Sequence, residues 1–442
     1  MENALPLSTA EAVTLLAPLT RYPKLALAVS GGPDSFALLY LAHRLRDAGA
    51  LRAEITVLTV DHGLRATSRD EATMVGALAA QLGFGHAVLD WRPSEAPRAG
   101  LQEAARIARY GLMAEYCRSH DIPVLVTAHQ LEDQAETMLM RLARGSGLDG
   151  LAAIPETSHW AGLVILRPLL AVPKARLIAT LREAGIVWVE DSTNRDTRYE
   201  RARIRAGRDG MQVLGLTPEA LARSARRLAR AREALDRMTE TFLESHCTTS
   251  GAGYCTLDVE ALLEAPEEIA LRALGSVVEA VGARHTTLRL AKLESLLAAI
   301  RERPAKPQTL GGCRLQLLEA GLGVFREARR NGMPVVALAP GERSLWDNRF
   351  SVSLAPEAPA PVTVKALGDG LSKARRADFP WLASVPRAAR LALPACWREG
   401  ELLSVPLVSL MSGGPEDANG FSAFFLNAHW TGRNIAGIGR SP

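Results

Sequence analysis

The chain has 442 residues and a formal net charge of only +4, with 48% of residues hydrophobic and 23% charged. Two or three domains with real cores are expected at about 100–200 residues each, and so small a charge does not by itself announce a nucleic-acid partner. The five cysteines, Cys117, Cys247, Cys255, Cys313 and Cys396, contain no C-x-x-C pair and are odd in number, which argues against a zinc ribbon, an iron–sulfur site or a disulfide scaffold.

The first half alternates strand and helix patterns. Residues 25–29 read as a short strand running into Ser30-Gly31-Gly32, and 36–45 as a helix. A strand at 55–60, a helix at 70–82, a strand at 87–91 and a helix at 101–119 follow. A fourth strand is expected at 123–127 and a helix at 131–143, then strands at 163–166 and 187–190 around a helix at 174–184. This alternation predicts an α/β fold, a Rossmann-like parallel sheet with helices on both faces. Ligands bind such sheets beyond the carboxyl ends of the strands, and the polar and glycine-rich clusters fall there.

From about residue 214 the alternation stops. An Arg-rich helix is expected at 216–243, with further helices at 269–281 and 288–301. Pro304-Ala305-Lys306-Pro307 and Gly311-Gly312 break the pattern, and 313–325 reads as strands of a small α+β unit. Prolines crowd 334–340 and 356–361, which places a linker near 331–343. The expected division is a catalytic domain at 1–213, a helix-rich α+β domain at 214–330 and a small β-leaning domain at 331–442.

Ser30-Gly31-Gly32-Pro33-Asp34-Ser35 sits between a strand and a helix. Glycines let backbone amides approach an anion, and the helix N-terminus adds a positive dipole end. Pro33 suits the first helical turn, where its missing N–H is harmless. Asp34 would repel phosphate alone but makes sense holding Mg²⁺ against it. No Walker A loop occurs in the chain, and the dinucleotide fingerprint is absent here. The loop resembles the PP-loop of the N-type ATP pyrophosphatases, which implies ATP as substrate, Ser30–Ser35 as its binding residues, and adenylation rather than phosphoryl transfer.

Further motifs occur in order: Val60-Asp61-His62-Gly63-Leu64-Arg65, Leu101-Gln102-Glu103-Ala104-Ala105-Arg106 with Arg109-Tyr110, and Ala128-His129-Gln130-Leu131-Glu132-Asp133-Gln134-Ala135-Glu136-Thr137. Arg144-Gly145-Ser146-Gly147, Arg167-Pro168-Leu169-Leu170 and Asp191-Ser192-Thr193-Asn194 complete the set. Together with the loop they resemble the tRNA(Ile)-lysidine synthase family over roughly the first 205 residues. The resemblance implies a ligase that adenylates the wobble cytidine of an isoleucine tRNA with anticodon CAU, then joins L-lysine to C2 with loss of AMP. It weakens further on, although Gly311-Gly312 and Trp346-Asp347-x-Arg349-Phe350 also look like the family.

Asp133 and Glu136 are three apart and share a helix face. They are candidates to hold Mg²⁺ with Asp34 or to grip the lysine substrate; the bland alternative is an acidic helix start favoured by the dipole. His129 is read either as a member of the same site or as a residue that only orients the loop. His62 is a candidate nucleotide contact or a buried, satisfied histidine. Gly145 is either an ATP contact or a plain helix C-cap. Arg205 is the candidate to stabilise charge on the α-phosphate, ahead of Arg201. The family stretch Arg-Asn-x-Ile-Arg appears here as Arg201-Ala202-Arg203-Ile204-Arg205, with Ala202 in place of Asn.

Residues 198–237 hold eleven arginines against five acids, a local excess of six. An apolar stripe of Leu221, Ala225, Leu228 and Leu235 leaves Arg223, Arg227 and Arg230 for a phosphate backbone, with Arg201 and Arg205 nearby; a solvated helix face is the alternative. Expected partners are tRNA(Ile), L-lysine and ATP, with no membrane. No secretory leader is visible, so a cytoplasmic location is expected, as a monomer or a homodimer. The competing readings are another PP-loop tRNA-modifying enzyme and an inactive tRNA-binding protein.

Overall fold

The computed structural model describes residues 4–63, 68–92, 101–189, 200–283, 288–303, 306–328, 332–368, 378–406 and 420–426. Arg65, Glu190, the segment Asp191-Ser192-Thr193-Asn194 and Pro304-Ala305 lie outside the described residues. The chain divides into two compact units, 1–233 and 234–436.

The first unit opens with α1 (Thr9–Leu16), β1 (Lys24–Ala28), α2 (Pro33–Asp47), β2 (Glu54–Asp61), α3 (Ser68–Gln81) and β3 (Gly85–Asp90). It continues through α4 (Leu101–Ser119), β4 (Val124–Val126), α5 (Leu131–Ala143), α6 (Leu148–Leu151), β5 (Thr157–Trp160) and β6 (Leu163–Leu166). Four helices follow: α7 (Lys174–Glu183), α8 (Glu200–Ala206), α9 (Arg208–Val213) and α10 (Pro218–His246), the last carrying residues of both units. The six strands form one sheet in the order β3-β2-β1-β4-β6-β5. Every neighbouring pair is parallel except β5 with β6, a hairpin at the edge.

Side chains alternate across each strand, so each supplies two cores. Leu25, Leu27, Val124 and Val126 join Phe36, Leu38, Val75, Leu177 and Leu181 on one side. Ala26, Leu58, Leu125 and Ile165 join Tyr110, Met113, Ala114 and Cys117 of α4 on the other. The strands are apolar runs because helices cover both faces.

Two local expectations change. Residues 187–189 form no strand; Val187 is exposed, and among the described residues the segment's one sheet-like bond is Val189 N–H to the Gly31 carbonyl (3.0 Å). The edge strand β5, Thr-Ser-His-Trp, carries no apolar alternation and was not foreseen.

The second unit has a five-stranded antiparallel sheet in the order β7-β8-β11-β10-β9, made of β7 (Cys247–Ser250), β8 (Tyr254–Leu257), β9 (Gln308–Leu310), β10 (Cys313–Leu318) and β11 (Gly321–Arg326). Helices α11 (Val259–Glu264), α12 (Glu267–Gly282) and α13 (Leu290–Arg301) share its core. A second core lies between β12 (Val336–Leu338), β13 (Arg343–Trp346), β14 (Phe350–Leu354), β15 (Val362–Ala366), β16 (Pro394–Arg398), β17 (Glu401–Ser404) and β18 (Phe421–Phe425), with the short α14 (Arg387–Arg390). The stretch read as a linker thus supplies a strand: β12 pairs with β15. Asp347 and Asn348 both take positive φ (49° and 53°) in the three-residue connection joining β13 to β14, a type I′-like turn closed by the Arg349 N–H on the Trp346 carbonyl (3.1 Å).

Candidate active site

Strand order reverses between β1 and β4, the point at which such sheets open a crevice for ligands. The loop after β1 is residues 29–32. Gly31 has φ +83°, a conformation L side chains rarely adopt, so glycine is needed for its backbone rather than for space. Gly32 is the N-cap of α2 and Pro33 its first residue. The buried Ser35 hydroxyl accepts from the Ser30 N–H (3.2 Å) and donates to the Gly32 carbonyl (2.9 Å). Ser35 therefore fixes the shape of the turn.

Asp34, on the first turn of α2, is 25% exposed. Its Oδ2 accepts from the Lys174 ammonium at 3.2 Å, while Oδ1 is buried with no hydrogen-bond partner among the described residues. Burial pushes its carboxyl up to about 6; the Lys174 charge pulls the other way, and Asp133 adds to the rise. Lys174 begins α7, and its backbone N–H donates to Glu132 (3.0 Å). Burial also raises the Glu132 carboxyl.

The loop after β4 leads into α5. Gln130 caps that helix: its side chain accepts from the Glu132 N–H (2.6 Å), and Asp133 Oδ2 accepts from the Gln130 N–H (3.1 Å). This reciprocal cap fixes Asp133 at the start of the helix. One turn on, Glu136 is buried and held bidentately by Arg205 of α8, Nε to Oε1 at 2.6 Å and Nη2 to Oε2 at 3.0 Å. Arg208 approaches the same Oε1 at 3.7 Å. The bond to Glu136 raises the Arg205 guanidinium further.

His129 Nδ1 lies 2.9 Å from the Thr127 hydroxyl. Burial, followed by the charges of Arg167, Arg109, Arg106 and Arg201, holds the imidazole well below the usual histidine range, so the ring is neutral. Arg167, at the end of β6, is 1% exposed and donates to the Pro155 carbonyl (3.0 Å) and the Ser158 hydroxyl (2.9 Å). It has no carboxylate partner among the described residues. After β2, Asp61 accepts from the Gly63 N–H (2.9 Å) and Ser68 hydroxyl (2.6 Å), and the His62 ring meets Trp91 edge-on at 5.7 Å.

Residues 7–207 match the family model described as a PP-loop domain. The tRNA(Ile)-lysidine synthase of Bradyrhizobium diazoefficiens is 42% identical over 359 residues, 79% of this chain and 95% of that protein. That of Ruegeria pomeroyi is 36% identical over 88% of this chain and 90% of its own length. That of Wolbachia pipientis is 33% identical, covering 75% and 77%. The chain belongs to the tRNA(Ile)-lysidine synthase family. Its members are ATP-dependent ligases built on a PP-loop domain.

Of the family residues expected from sequence, the structure gathers residues 30–35, Asp133, Glu136 and Arg205 around the sheet's reversal point. Arg201 joins the charges around His129. Gly145 stands elsewhere, at the far end of α5, with φ +68° and its N–H on the Leu142 carbonyl (3.0 Å). Thirteen helical residues, about 20 Å at 1.5 Å each, separate it from the end that carries Asp133. Arg223, Arg227 and Arg230 are exposed on α10. They fall two residues, about 200° of helix, beyond the Leu221–Ala225–Leu228 stripe that packs on Ala135 and Met138. None has an acidic partner among the described residues.

Neither Lys174 nor Glu132 stands among the site residues expected from sequence. Lys174 did leave a signal: a cation in the first turn of a helix opposes the macrodipole, and such a residue calls for an anionic partner.

Proposed function

We propose that this chain ligates L-lysine to C2 of the wobble cytidine (position 34) of tRNA(Ile) with anticodon CAU, in the cytoplasm. The carrying observation is the pairing, at one reversal point of the sheet, of a glycine turn with the acids Asp34, Asp133 and Glu136. In the first step the C2 oxygen attacks the α-phosphorus of ATP and the bond to pyrophosphate breaks. In the second the lysine ε-amine attacks C2, the C2–O bond breaks, and AMP leaves with the oxygen.

The turn at 30–35 receives the triphosphate: loop amides and the α2 N-terminus favour an anion there. A magnesium ion fits Asp34, whose buried Oδ1 lacks a partner among the described residues. Among the described residues no group of three His, Cys, Asp or Glu forms a cage, which suits Mg²⁺ held by one or two carboxylates, Asp34 and Asp133, and substrate phosphates. Bound there, the ion neutralises phosphate charge and makes the α-phosphorus more electrophilic. Arg205, fixed by Glu136, lies on the side of the acids to steady charge on the α-phosphate. Asp133 attracts the ammonium groups of lysine, while Glu136, whose two oxygens are bonded by Arg205, acts through that arginine. The ε-amine, with an ordinary pKa near about 10.4, gives up its proton to a carboxylate of this group before it attacks. His62 is assigned to the nucleotide's edge of the crevice. Gly145 follows Arg144, the C-cap of α5, and ends the helix with its left-handed backbone.

The exposed arginines of α10, with Arg201, supply the phosphate-backbone contacts, and 214–330 and 331–442 are the tRNA-binding parts. Among the described residues no helix is long and apolar enough to cross a membrane. The test incubates the protein with ATP, Mg²⁺, labelled lysine and tRNA transcripts. Label enters tRNA(Ile) with anticodon CAU and not a methionine tRNA with the same anticodon. Equal labelling of both, or of neither, overturns the assignment.

A further inference from the structure

Asp34 and Lys174 are 140 residues apart in sequence and meet at the phosphate turn. Three features set this pair apart from an exposed ion pair. The carboxylate is mostly enclosed and uses one oxygen only, Oδ1 being buried without a partner among the described residues. The lysine backbone is pinned, because its N–H is held by Glu132. Its four-carbon side chain, 37% exposed, is the part free to move. Finally, Lys174 is the first residue of α7, the end at which the helix dipole repels cations and welcomes anions.

A place that suits anions, beside a turn that suits phosphate, holds a cation paired, among the described residues, with the single carboxylate of Asp34. We propose that Lys174 is a nucleotide-binding residue: its ammonium pairs with Asp34 in the empty enzyme and transfers to an oxygen of the pyrophosphate half of ATP when the nucleotide binds. The inference rests on the reading of residues 30–35 as the triphosphate turn. The exchange follows from charge. A triphosphate offers the ammonium several oxygens in place of one, and a compact point charge on a flexible stem suits them. The move also opens both Asp34 oxygens, the condition under which that acid serves a divalent ion.

The experiment uses the full chain without tRNA or lysine and measures binding of α,β-methylene ATP and of AMP by titration calorimetry, in Mg²⁺ and again in EDTA. The wild type binds the triphosphate more tightly than AMP. Lys174→Met weakens the triphosphate by about ten- to a hundredfold, the range of one charge-assisted hydrogen bond, in both conditions. It leaves AMP affinity unchanged. Lys174→Arg restores part of the loss. Lys174→Gln is measured beside them, so that a folding defect of one variant does not decide the result. A triphosphate preference kept in Lys174→Met and Lys174→Gln overturns the role of Lys174 alone, since the lysine then only neutralises Asp34. An equal loss for AMP overturns its place on the pyrophosphate half. A wild type with no preference for triphosphate removes the turn's assignment and the proposal together.

Discussion

Two acids in this chain sit beside cations and are driven in opposite directions. Asp347, in the second unit, is 4% exposed and fully engaged: Arg326 bonds both of its oxygens (2.9 and 3.1 Å), and Arg349 bonds Oδ2 again (2.8 Å). Burial works to raise its carboxyl, but the two guanidiniums outweigh it and hold it below the usual range. The remaining arginine donors reach the carbonyls of Gly312, Gly253 and Ala392 (3.0, 3.2 and 3.0 Å). Asp34 has, among the described residues, one lysine and an oxygen without a partner, and burial wins. A closed charge cluster holds a fold together, whereas an incomplete one is completed by something that arrives.

Breaking the incomplete cluster gives the largest effect. Asp34→Asn keeps the shape and removes the charge. Pyrophosphate release with ATP and tRNA falls on the order of a hundredfold or more, the scale on which preorganised charge stabilisation is lost, while tRNA affinity by filter binding stays nearly unchanged. Loss of tRNA affinity instead would place Asp34 in the scaffold, and the contrast with Asp347 would disappear.

Asp347→Ala makes the converse test. It strands two buried guanidiniums, which destabilises the second unit by about 3–5 kcal/mol, read as a lower urea midpoint by fluorescence of the buried Trp346. The dependence on pH has a definite sign. A carboxyl lowered by folding contributes stability above its unfolded pKa, near about 3.9, and loses it as pH falls through the folded value. The gap between wild type and Asp347→Asn therefore narrows below about pH 4, and a gap that widens on acidification contradicts the charge cluster.

What the sequence displayed divides along the same line. The strand–helix alternation, the glycine turn and the paired acids of α5 are local patterns, legible because periodicity and spacing act within a dozen residues. Lys174 with Asp34, 140 residues apart, and Arg205 with Glu136, 69 apart, are created by the fold. Residues 186–189 show why apolar content alone misleads. Ile-Val-Trp-Val is as strand-like as β1, yet it makes one bond to Gly31 and leaves Val187 exposed. The buried Arg326–Asp347–Arg349 cluster runs against the rule that charged residues lie outside, and only mutual bonding permits it.

The arginines of α10 extend the contrast to the surface. Arg223, Arg227 and Arg230 are exposed without acidic partners among the described residues, so they are available to a polyanion. Replacing all three by alanine lowers tRNA affinity and reduces the log–log salt slope of binding by about two to three units if each neutralises one phosphate. The adenylation chemistry at saturating tRNA is unaffected. An unchanged slope would return this helix face to the category of solvated charge.

The smallest effect separates two glycines that share a left-handed backbone but not a role. Gly31 belongs to the phosphate turn, and Gly145 follows the far end of α5 with no atom within 4 Å of where a Cβ would stand. In Gly145→Ala nothing collides, and the φ of +68° is the whole penalty, about 1 kcal/mol of stability. Affinity for α,β-methylene ATP does not change. Should it fall while the thermal midpoint holds, Gly145 touches the nucleotide after all, and the crevice reaches along α5 well beyond the reversal point of the sheet.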